Sequence, residues 1–94
     1  MILRKIQSDG SILTKQFKEA TEYKVIRPHT EAFEVYFEVL RFDHPDIARD
    51  EERNTLVVVE VKDSSAPGMR FSWHKKQGEQ IYIMNDEGQT IEKL

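Results

Sequence analysis

Side chains able to do chemistry are sparse in this chain. Its three histidines, His29, His44 and His74, stand far apart, and cysteine is absent. A thiolate metal site, a disulfide framework and a cysteine nucleophile are thereby excluded together. The one local cluster is Asp43-His44-Pro45-Asp46. Two carboxylates and an imidazole within four residues can grip a metal in some folds, so an enzymatic site, if there is one, belongs here. The same letters serve helix capping and solubility in an acidic connection, and that use is the expected one, with no metal or cofactor. Asp50-Glu51-Glu52 lacks the alternating acids and central glycine of a calcium loop. No serine sits in a Gly-x-Ser-x-Gly elbow, and the four glycines are spread through separate turns rather than gathered in a phosphate loop. Glu34 and Glu38, read as one strand face, would stand about 13–14 Å apart at a rise of ~3.3–3.4 Å per residue. That exceeds the ~9.5 Å limit of glycosidase carboxylate pairs. An enzyme is therefore not expected.

A second constellation is Arg70-Phe71-Ser72-Trp73-His74-Lys75-Lys76. Rings interleaved with bases suit single-stranded nucleic acid, the rings stacking on bases and Arg70, His74, Lys75 and Lys76 meeting phosphates. Phe71 and Trp73, however, fall in phase with Met69 on an apolar strand face. Core aromatics with a solvated basic face is the simpler reading. The whole chain, at net charge −3, also argues against nucleic acid as a partner, because phosphate neutralisation supplies most non-specific affinity. The charge is uneven: residues 1–30 carry +3, residues 31–53 carry −5 and residues 54–94 carry −1. An acidic region of this kind can meet a basic partner, or simply pair with a basic strand across a sheet.

The elements that must position these residues follow from hydrophobic period. A chain of 94 residues, 38% hydrophobic and 10% aromatic, is expected to form one domain around one core. Residues 1–94 are read as a single small β domain. The longest uninterrupted apolar run, Leu56–Val59, is too short to cross a membrane, and Met-Ile-Leu-Arg-Lys lacks the apolar stretch of a secretory signal, so a cytoplasmic location is expected. Phe33, Val35, Phe37 and Val39 alternate with Glu34, Tyr36 and Glu38, which predicts a long half-buried strand over residues 31–42. Val57, Val59 and Val61, then Met69, Phe71 and Trp73, then Ile81 and Ile83, and also Tyr23 and Val25, alternate in the same way. Turn signals at residues 27–29, 63–68, 76–78 and 85–88 bound them, so consecutive strands should be antiparallel. Residues 2–7 and 12–14 read as one more hairpin around Ser8-Asp9-Gly10-Ser11, and residues 89–93 as a short edge strand. Lys15–Glu22 reads equally as a helical turn or a strand extension, and Asp43–Arg53 as a short helix or a loop packed through Ile47 and Ala48.

The resulting expectation is an all-β or β-dominated domain. It has a single antiparallel sheet of five to seven strands curled into a small barrel or sandwich, and at most one or two short helices. On that sheet Tyr36, Leu40, Phe42, Leu56, Val58, Tyr82 and Met84 would face away from the core, and something must cover them: the N-terminal segment, barrel closure or a second chain. Tyr36, Leu40, Tyr82 and Met84 are the expected contact residues for a protein partner, which can be a second copy. The preferred function is a non-catalytic interaction or regulatory module binding through a sheet face or edge. The alternatives are an oligonucleotide-binding barrel and an enzyme with its site at Asp43–Asp46.

Overall fold

The computed structural model describes residues 1–18, 20–63 and 70–94, with Thr21, Asp63 and Arg70 as backbone alone. Among the described residues there are seven strands and one α-helix: β1 (Ile2–Ile6), β2 (Ile12–Gln16), β3 (Ala20–Ile26), α1 (Glu31–Asp43), β4 (Val57–Asp63), β5 (Arg70–Lys75), β6 (Gln80–Met84) and β7 (Thr90–Lys93). The strands form two antiparallel sheets, ordered β2-β1-β6-β7 and β3-β4-β5. Predicted antiparallel pairing across short turns accounts for most of this. Gly10 and Gly88, for example, take φ +88° and +84° in the β1–β2 and β6–β7 turns, a region that costs glycine little. The expected single curled sheet and closed barrel are replaced by two stacked sheets with a helix on one of them. The Ser-Ser-Ala-Pro-Gly turn lies outside the described residues.

Strand β4 sits at the centre of this arrangement. Val59 lies opposite Val25 and Trp73 in the ladder, and Val61 lies opposite Tyr23 and Phe71. Val59 and Val61 share a core with Leu3, Phe17, Ile81 and Ile83, which joins the two sheets. Val58, on the other face of the same strand, joins Ile26 and Leu56 beneath Phe33, Phe37 and Leu40 of α1. Val58, Val59 and Val61 are all fully buried. Burial on both faces is what an unbroken Leu-Val-Val-Val run requires, in contrast to the one-sided strands around it.

The segment 31–42 is therefore the cover that the second face needed, and the expected strand there is corrected to a helix. Phe33, Phe37 and Leu40 are spaced i, i+4, i+7 and are all buried, with Tyr36 packed beside them. Thr30 caps the start: its Oγ1 accepts from Phe33 N–H at 3.2 Å and donates to the Arg27 carbonyl at 2.7 Å. Glu31 and Glu34 lie at the positive end of the helix and Arg41 in its last turn. Glu34 and Glu38, one turn apart on one side of α1, both reach Arg53, at 2.9 and 3.4 Å. Their predicted separation along a strand does not exist. Val35 and Val39, expected in the core, stand in solvent. The helix then stops at His44-Pro45, with His44 N–H donating to the Leu40 carbonyl. A 3₁₀ turn at Asp50–Glu52 follows, and Ala48 is buried beside Ile47 as expected. Among the described residues no helix is long and apolar enough to cross a membrane.

Candidate binding groove

At 100° per residue, Ala32, Val35, Val39 and Phe42 form a second apolar arc on α1, beginning next to Tyr36 and turning away from the core. Val35 is 67%, Val39 58% and Phe42 88% exposed. Ala32, Val35 and Val39 of this arc border the part of the β3-β4-β5 sheet beside α1, and Phe42 points to solvent. Ala32, Val35, Tyr36 and Val39 make one wall of a groove whose floor includes Lys24 and Glu60. Glu60 faces Lys24 and Ser72 across the ladder. The groove continues past Tyr36 and Val39 to Asp43, His44, Ser72 and His74. It runs the length of α1, about 18 Å at ~1.5 Å per residue.

Its electrostatics are asymmetric. Arg53 serves Glu34 and Glu38, and Arg41 serves Asp50 at 2.9 Å. Glu31 at one end of the groove and Asp43 at the other form no ion pair among the described residues. Between them Tyr36 Oη and His74 Nε2 share a hydrogen bond of 3.1 Å, with their rings tilted at 6.1 Å. Burial under α1 holds the His74 imidazole below its usual range, and the positive charge of Lys5 adds to the effect. Lys5 itself is anchored, donating from Nζ to the His74 carbonyl at 2.6 Å. His74 is thus a neutral, fixed wall of the groove at neutral pH.

The expected contact residues do not gather into one patch. Tyr36 is half-buried and lines the groove, whereas Leu40, one helical turn on, is buried in the core under α1. Tyr82 lies on the outer face of the other sheet, its ring beneath Lys93 Nζ at 5.5 Å, and Met84 on that sheet is buried. Two sheet layers separate the pairs because residues 36 and 40 belong to the helix. Of the basic set, His74 is spent on Tyr36, Lys75 is half-buried and Lys76 is exposed, while the Arg70 side chain lies outside the described residues. Phe71 and Trp73 pack on the core face as expected. Asp43-His44-Pro45-Asp46 is the helix stop: the His44 carbonyl accepts from the N–H groups of Ile47 and Ala48. Val35 and Val39 are the groove residues that the alternating pattern misassigned. The i, i+4, i+7 spacing of Val35, Val39 and Phe42 was the available signal. Compared with models of known protein families, with curated proteins and with solved structures, the chain matches none.

Proposed function

We propose that the chain is a non-catalytic interaction module that holds a protein partner in the groove along α1. The observation that carries this reading is the exposed row Val35, Val39 and Phe42, which the fold does not use for its own core. The occupant is an apolar segment bracketed by lysine or arginine. Its apolar residues meet Ala32, Val35 and Val39, and its bases meet Glu31 and Asp43, which form no ion pair among the described residues. The net charge of −5 over residues 31–53 favours such a partner and disfavours nucleic acid. A cytoplasmic, cofactor-free regulatory role belongs to the same reading.

The test uses two synthetic leucine-rich peptides of equal length, one with lysines at both ends and one with glutamates, titrated by NMR. The lysine-flanked peptide should bind at least about tenfold tighter at low salt. Its shift perturbations should centre on Ala32, Val35 and Val39, and Val39→Glu should abolish them. Equal affinity for the two peptides, or perturbations unaffected by Val39→Glu, would overturn the reading.

A further inference from the structure

We infer that a second copy of this chain docks on the free edge of β2, pairing Ile12–Gln16 antiparallel with its own symmetry mate. This surface is independent of the groove, since α1 packs on the other sheet.

Among the described residues, β2 bonds to β1 on one side only. Which of its backbone groups point outward follows from the hairpin. Gln7 N–H donates to the Ser11 carbonyl at 2.9 Å, and Phe17 N–H to that of Met1 at 2.8 Å. In an antiparallel ladder bonded and non-bonded pairs alternate, so the odd residues 11, 13, 15 and 17 bond to β1. The N–H and C=O groups of Ile12, Thr14 and Gln16 therefore face away from the sheet.

The four edge strands differ in how well they resist such pairing. The β3 ladder shifts register between Ala20 and Glu22, and the β7 ladder between Ile83 and Met84. Bulges of this kind blunt an edge. The described side chains of β5 are half-buried. β2 keeps an unbroken register over all five residues and is exposed throughout, with Ile12 59% and Leu13 47% accessible on opposite faces. Its one charge, Lys15, does not guard the edge. The ammonium is drawn over the Phe17 and Phe71 rings, at 6.0 and 5.8 Å from their centroids.

Chemistry and geometry select the register. The outward residues 12, 14 and 16 must face one another, so the two-fold axis can fall only where even residues oppose even ones. An axis at Lys15 would set Lys15 against its own copy, which is unfavourable. An axis at Leu13 would pair Gln16 with Gly10, whose φ of +88° belongs to a turn. An axis at Thr14 pairs all five residues: Ile12 with Gln16 of the mate, Thr14 with Thr14, and Leu13 with Lys15. Ile12–Gln16 and Thr14–Thr14 then exchange backbone hydrogen bonds while Leu13–Lys15 is a non-bonded pair, and the β2-β1-β6-β7 sheet continues into the second copy.

The experiment combines light scattering with site-resolved amide exchange over a dilution series of the wild-type chain. The expected mass is twice 11.1 kDa at high concentration. The amides of Ile12, Thr14 and Gln16 should be protected in the dimer and released on dilution. Thr14→Pro removes an outward N–H and no β1 bond, so it should give a folded monomer. Leu13→Glu, which places a carboxylate opposite Lys15 of the mate, should keep the dimer. A wild type monomeric at every concentration, a dimer with those three amides unprotected, or a dimer lost in Leu13→Glu would overturn the inference. Should Thr14→Pro fail to fold, the wild-type exchange pattern and Leu13→Glu still decide it. Val39→Glu, which tests the groove, should leave the mass unchanged.

Discussion

Phe33, Phe37 and Leu40 on α1 are buried, whereas Val35, Val39 and Phe42, each two positions on, stand in solvent. The two rows are similar in hydrophobicity and share one helix, so chemistry alone does not sort them. The angle does. Two residues on a helix are about 200° apart, so the first row faces Val58, Ile26 and Leu56 and the second faces away. The inner row holds the helix on the sheet. The outer row takes no part in the core. The same contrast recurs within β4, where Val58 and Val59 are adjacent, point to opposite faces and are both fully buried.

The largest expected effect comes from breaking that second contrast. Val58→Asp and Val59→Asp should each cost at least about 4 kcal/mol or abolish folding, because each buries a charge with no partner. Chemical denaturation measures both. Were Val58→Asp tolerated, the face beneath α1 would be wet and the layered account would fail. A smaller effect isolates the helix itself. Thr30→Ala should cost about 1 kcal/mol through loss of the cap on Phe33 N–H, and Thr30→Ser should recover most of it. An alanine variant as stable as wild type would place the start of α1 elsewhere.

The smallest effect concerns the groove wall and depends on pH. His74 is held below its ordinary value in the folded chain, chiefly by burial. The unfolded chain therefore binds a proton more readily. Its contribution is fully present above the unfolded value near 6.5 and is lost as pH falls through the folded one. Stability should drop as the pH falls below about 6.5, and more in the wild type than in His74→Gln, as compared by urea unfolding at each pH. Parallel pH profiles would mean that His74 stays solvated and the groove is open at that end.

Most strands were legible because period two is unambiguous where one face is wet and the other dry. Tyr23/Val25, Phe71/Trp73 and Ile81/Ile83 all lie on the face assigned to them. The failure at residues 31–42 has a specific cause. Two helical rows offset by two residues interleave into Phe33, Val35, Phe37, Val39, which imitates strand alternation. Valine and phenylalanine favour strands and strengthened the imitation, but tertiary burial against Val58 outweighs that preference. Thr30 after a Pro-His turn, and Phe33, Tyr36, Phe37 and Leu40 at helical spacing, carried the opposing signal. Leu56 and Val58 demand a cover, and the segment that supplies it is the one whose alternation imitates a strand. The candidate groove is affected in the same way: Tyr36 lines it, Leu40 is core, and strand-like alternation hides Val35 and Val39.

The most direct test of the helical account compares Phe37→Ala with Val39→Ala in equilibrium urea unfolding. A strand would place both side chains on one buried face, whereas α1 places them on different sides. Phe37→Ala should lose about 3–5 kcal/mol, and Val39→Ala should stay within about 0.5 kcal/mol of wild type. Comparable large losses in the two variants would contradict the helix, and with it the groove.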